Sequence, residues 1–105
     1  MPLPATYEKI RKTYPKYAEA LNDLGVAAKG AGPLSEATAQ LVQLAAAAAV
    51  HSEGAVHSHA RRALAAGVTP AEVRHAILLL TSTIGFQTVS AALTWVEDVM
   101  KGKGR

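Results

Sequence analysis

Three of the four histidines of this chain, His51, His57 and His59, lie close together. An imidazole titrates near neutral pH, and it can serve as a general acid, a general base or a metal ligand. The three follow a run of alanines that carries almost no side-chain bulk and lets neighbouring backbones pack closely. We therefore expect any chemistry at the junction formed by residues 44 to 59.

The spacing of His57 and His59 argues against a shared metal ion. The residues that follow, 60 to 66, favour a helix, and side chains two positions apart on a helix point in nearly opposite directions. A helical pair of metal ligands needs a spacing of four. An extended segment would let both rings reach one ion, so a His/Glu metal protein stays as the least favoured alternative. We predict no metal site.

The helical repeat places the candidate residues of this segment on two stripes. One stripe holds Ser52, Ala55, His59 and Arg62. The other holds Glu53, His57 and Arg61, a pattern typical of a solvated charge ladder. On the first stripe, small residues leave room for a ligand beside the imidazole of His59. His59 is thus either a proton-transfer group or a buried histidine that bonds a backbone carbonyl.

Other common chemistries lack their residues. The chain has no cysteine, which excludes disulfides, thiolate metal sites and thiol redox chemistry. It has no phosphate-binding glycine loop and no dinucleotide fingerprint. Ser52 and Ser58 lack the strand-turn-helix context of a hydrolase nucleophile.

Composition predicts one folded domain over residues 1 to 105. Half of the residues are hydrophobic (50%) and only 18% are charged, so the chain is too apolar to be disordered. The net charge of +3 equals the three basic residues of the predicted flexible tail, 101 to 105, which leaves the body neutral. Aromatic residues are few and scattered, so we expect no nucleic-acid partner. No segment predicts a signal peptide or a membrane span, and we expect a soluble, cytoplasmic protein.

The elements that must position the histidines are all helices, because no segment alternates as a strand does. Proline and glycine separate five to six of them, predicted near 5–13, 15–28, 35–51, 52–66, 69–84 and 88–101. The clearest boundary is the capping box of Thr69 and Glu72, with Pro70 at the first helical position. The third and fifth helices are apolar on nearly every face, which predicts burial between subunits and a homo-oligomer.

From Ser35 through Gly67 and on to Val73, the chain resembles the carboxymuconolactone decarboxylase family, which includes the alkyl hydroperoxidase D-like proteins. The similarity covers residues 33 to 100. In relatives, a helix with a glutamate leads into Cys-x-x-Cys-x-x-x-His, followed eight residues later by a glycine and a capped helix. His59 matches that histidine, and Gly67 matches the glycine. The resemblance implies an all-α domain of the alkyl hydroperoxidase D-like type that forms trimers or hexamers.

The resemblance also implies which activities to expect. Ser52 and Ala55 occupy the positions of the two cysteines, and Gln40 that of the proton-relay glutamate, so dithiol peroxide reduction is not expected. The decarboxylase branch works without the cysteines and without a metal or organic cofactor, on a lactone that bears a carboxylate. In that reading His59 transfers the proton.

The same reading assigns the remaining site residues. Arg62, or alternatively Arg61, holds the substrate carboxylate, and Gln40, Ser52 and Ala55 line the substrate. The competing hypothesis is a helical oligomer without catalytic activity that binds a small molecule.

Overall fold

The computed structural model of the protein describes residues 5 to 102, which form seven helices and no strand. This confirms the all-α fold class. The helices are α1 (Ala5–Thr13), α2 (Pro15–Gly30), α3 (Glu36–Ala49), α4 (Glu53–Ala65), α5 (Pro70–Leu78), α6 (Thr81–Ile84) and α7 (Phe86–Met100).

Local side-chain chemistry sets the helix starts. The Ser35 hydroxyl accepts a hydrogen bond from the Thr38 backbone N–H at 3.1 Å and caps α3. Thr69 and Glu72 form the predicted capping box at the start of α5, with Pro70 in its first turn. The boundary signals in the sequence are therefore confirmed at both helices.

The helix predicted from residue 69 to 84 is divided. Its first part, α5, ends at Leu78, and the Leu80 N–H bonds the carbonyl of Ile77 in a tighter turn. The short α6 follows and ends at Gly85, whose φ of 89° suits glycine. The prediction of one continuous helix was wrong here.

The core lies between α3, α4, α5 and α7. Leu44, Val56, Ile77 and Val96, one from each of these helices, are all fully buried. Where α3 meets α4, the buried residues include Ala48, Ala60 and Ala63, whose small side chains let the two helices approach closely. This close packing brings the histidine segment onto α3.

The first two helices add little to this core. Within α1 and α2, both described in full, Ala18 is the one buried residue. Tyr17, Leu21 and Leu24, which form the predicted apolar stripe of α2, are 57%, 45% and 66% exposed. On α3, Val42 is 55% exposed, so the single chain leaves one face of this nearly all-apolar helix uncovered.

The two ends of the chain add two observations. The predicted basic tail starts at Lys101, directly after α7, and its residues 103 to 105 lie outside the described part. Between residues 5 and 102, no helix combines the length and the apolar character that crossing a bilayer requires.

Candidate active site

His59 lies within α4 and faces Gln40 of α3. Its Nδ1 is 2.8 Å from Oε1 of Gln40, a hydrogen bond that joins the two helices. The segment from Glu53 to Ala65 is helical, which confirms the geometric premise of the prediction. The structure therefore brings together two of the predicted site residues, His59 and Gln40.

The hydrogen bond continues through Gln40 to the surface. Gln40 is fully buried, and its Nε2 donates to Oε1 of Glu36 at 2.8 Å. The ammonium of Lys29 at the end of α2 donates to the same carboxylate oxygen, also at 2.8 Å. Lys29, Glu36, Gln40 and His59 thus form one continuous hydrogen-bonded row across three helices.

This row fixes the tautomer of His59. The hydrogen bond from Lys29, followed by that from Gln40, lowers the pKa of Glu36, so its carboxylate is ionised and can only accept. The amide nitrogen of Gln40 must then face Glu36, and its carbonyl oxygen must face His59. Nδ1 of His59 therefore carries the hydrogen, and in the neutral ring the lone pair is at Nε2.

The surroundings of His59 favour this neutral ring. Burial lowers the pKa of His59, and the positive charges of Arg62 and Lys29 lower it further. An imidazole that stays neutral at neutral pH and carries its lone pair at a fixed atom can take a proton from a substrate.

Arg62 follows His59 by one turn of α4 and points toward α2. Its exposed side chain borders a cavity of about 320 Å³, whose lining also includes Lys29, Asn22 and Gln43. The ammonium of Lys29 is already paired with Glu36, so Arg62 is the cation that favours an anionic ligand at this cavity, and guanidinium is suited to a carboxylate. His59 is not in this lining, so a ligand would have to extend from the cavity toward the imidazole.

The other predicted ligand-lining residues have structural contacts. Ser52 is the N-cap of α4, and its hydroxyl accepts from the Ala55 backbone N–H at 3.4 Å. Ala55 is half-buried and packs against the core. Arg61, the alternative carboxylate ligand, is half-buried, and burial lowers the pKa of its guanidinium. Their contact with a substrate stays a prediction.

The second stripe of α4 differs from the expected solvated ladder. His57 is only 6% exposed, while Glu53 is exposed. Nε2 of His57 lies 3.8 Å from Oε2 of Glu53. The stripe was mispredicted at His57 because this face of α4 lies close to α7, where Asp98 is near both residues.

Two residues of the hydrogen-bonded row, Lys29 and Glu36, were absent from the predicted site. Glu36 stands four positions before Gln40 on a helix, a spacing that places the two side chains together. That signal was available in the sequence. Lys29 carried none, because its position depends on how the loop after α2 returns to α3.

Comparison with known proteins agrees with the resemblance. The model of the carboxymuconolactone decarboxylase family matches residues 15–98, most of the chain. No curated protein and no solved structure gives a significant match. With the helical fold and His59 on α4 against α3, this match leads to one conclusion: the chain belongs to the carboxymuconolactone decarboxylase family.

Proposed function

We propose that this protein catalyses proton transfer on a small carboxylated or lactone-like substrate, with His59 as the acid–base group. The observation that supports it best is the 2.8 Å hydrogen bond between Nδ1 of His59 and Gln40. It leaves Nε2 as the basic atom of a neutral ring, which is the form that a general base needs.

Besides a base, the reaction needs a group that holds the substrate, and Arg62 at the cavity can supply it. Arg62 binds the carboxylate of the substrate at the cavity that it borders, and the reacting carbon extends from there toward His59. In a proton transfer, Nε2 takes the proton from the carbon next to a carbonyl, and the electron pair moves onto the carbonyl oxygen. The imidazolium then returns a proton to a carbon of the same substrate.

Decarboxylation uses the same group in the opposite sense. When the C–C bond to the carboxylate breaks, carbon dioxide leaves and the electron pair passes into the conjugated carbonyl. Nε2 of the neutral His59 takes up a proton from solvent, and the imidazolium then delivers that proton to the resulting enolate carbon. Neither sequence of steps needs a thiol, and we expect no cofactor and no thiol peroxidase activity from this chain without cysteine.

Lactones and β-keto acids are the substrates for the test. His59→Gln should lower kcat about 100-fold or more, within the usual range for loss of a general acid–base group. The control is His75→Gln on the exposed surface of α5, which should turn over as the wild type does. Equal turnover by the His59→Gln variant would remove His59 from the mechanism.

The role of Arg62 is tested by measuring KM and kcat separately. Arg62→Gln should raise KM for carboxylated substrates while changing kcat little, because it holds a group that does not react. For an uncharged ester of the same substrate, KM should be the same in the variant and in the wild type. A KM for the carboxylate that is equal in the variant and the wild type would refute the assignment.

A separate proposal concerns assembly. Apolar side chains stand exposed on α2, α3 and the α5–α7 region, including Leu24, Val42, Leu79 and Phe86. Such surfaces on a small domain are usually covered, and a second copy of the chain offers the matching apolar face. We propose a homo-oligomer, of which trimers and hexamers are the expected forms. A monomer in light scattering at micromolar concentration would contradict this.

A further inference from the structure

A second group of chemistry-bearing side chains lies on the other face of α4. Glu53 is in its first turn, His57 follows four positions later, and Asp98 approaches from α7. One donor atom from each of the three lies within 4.8 Å of the others. Nε2 of His57 and Oε2 of Glu53 are 3.8 Å apart.

This donor set fits a metal ion. Imidazole together with carboxylates is a common ligand set for Zn²⁺, Mn²⁺ and Fe²⁺. Ligand atoms about 2.1 Å from a tetrahedral ion lie roughly 3.4 Å from one another, so donor atoms that now lie within 4.8 Å must move together by about 1.4 Å at most. The side chain of Glu53 is exposed and can make that adjustment, whereas His57 is held in the packed interface.

We propose that Glu53, His57 and Asp98 form a binding site for one divalent transition-metal ion, which links α4 to α7. The two carboxylates balance the charge of the ion, and the three ligands leave a coordination position for water or a small ligand. The site is separate from His59, since His57 and His59 lie on nearly opposite faces of α4. It revises the prediction that the chain has no metal site.

The signal for this site was partly visible in the sequence. Glu53 and His57 have the spacing of four that a helical ligand pair requires. The third ligand comes from the last helix, and only the packing of α7 on α4 brings Asp98 to the pair.

In the first experiment, untagged protein is stripped of metal with a chelator, which is then removed. Zn²⁺ is titrated into this protein at neutral pH, and calorimetry measures the binding. Binding should saturate at one ion per chain, and the melting temperature should rise with Zn²⁺ because the ion binds the folded form. Co²⁺ used in place of Zn²⁺ should give visible absorption bands whose intensity saturates at the same ratio.

Variants locate the ion. Glu53→Gln and Asp98→Asn keep the shape of each side chain and should each weaken Zn²⁺ binding about tenfold or more. Asp23→Asn and His75→Gln remove an exposed carboxylate and an exposed imidazole elsewhere and should bind as the wild type does. His59→Gln should also bind normally, which separates this site from the proposed catalytic one.

Two outcomes would overturn the proposal. The first is a wild type that takes up no Zn²⁺ and shows no Co²⁺ bands. The second is an affinity that falls equally in the ligand variants and in the surface controls. Circular dichroism of Glu53→Gln and Asp98→Asn checks that both remain folded, so that a loss of binding reports on the ligands.

Discussion

Replacement of Gln40 by methionine tests the hydrogen-bonded row directly. Gln40 is fully buried, and its amide accepts from His59 and donates to Glu36. Methionine has nearly the same length and volume, so Gln40→Met removes both hydrogen bonds without leaving a large cavity. The ring of His59 keeps its place while Nδ1 loses its partner.

The expected cost is modest because two effects oppose each other. A buried donor left without an acceptor costs about 1–3 kcal/mol, and the lower end applies because His59 is only half-buried and water can reach it. In the other direction, methionine avoids the cost of burying a polar amide, which is about 1–3 kcal/mol from mutational data. We expect a net destabilisation of about 1 kcal/mol or less. Gln40→Ala adds a cavity and should cost about 2–4 kcal/mol.

Urea denaturation gives the stability, and long-range ¹H–¹⁵N correlation spectra give the tautomer of each histidine. In the wild type, His59 should carry its hydrogen on Nδ1. In Gln40→Met it should become a mixture of both tautomers, while the exposed His75 stays unchanged as an internal control. A wild-type His59 with its hydrogen on Nε2, or an unchanged tautomer in Gln40→Met, would refute the reasoning.

Three further predictions concern stability, each measured by urea denaturation. The pKa of His59 is lowered in the folded chain, so the unfolded chain binds more protons there. Stability should fall as the pH drops from the ordinary histidine pKa toward the folded value, and His59→Gln should reduce that fall; identical pH profiles would contradict it. Thr69→Ala removes the cap of α5 and should cost about 1 kcal/mol, and no loss would contradict its capping role. His51 has a φ of 59°, so His51→Val should cost about 1–2 kcal/mol and His51→Gly far less; the reverse order would show that this backbone strain is not significant.

The fold could be predicted where a local signal marks each helix end. Thr69, Pro70 and Glu72 specify the start of α5 by themselves, and Gly85 specifies the end of α6. The turn at Leu80 carries no such signal, because leucine favours a helix and neither glycine nor proline stands there. The exposure of the outer face of α3 in the single chain could not be predicted for another reason: alanine and valine do not reveal whether a neighbouring surface comes from the same chain.

The sequence could predict only those pairs of site residues that lie on the same helix. His59 and Arg62 share a stripe of α4, and Glu36 and Gln40 share a stripe of α3, so both pairs follow from spacing alone. Gln40 and His59 were placed in one site on the basis of the family resemblance, because their spacing in the sequence does not predict a contact. Contacts of Lys29 with Glu36, and of Asp98 with His57, depend on packing between helices that no local pattern specifies.

An amide at position 40 has a specific electrostatic consequence. A carboxylate there would place a negative charge against His59 and stabilise the imidazolium, which suits a relay that accepts the proton of a thiol. Gln40 provides the same acceptor without the charge, while burial, Arg62 and Lys29 all favour the neutral ring. The glutamine at position 40 therefore acts in the same direction as burial and the two cations. Together they favour the neutral imidazole that the proposed general base requires.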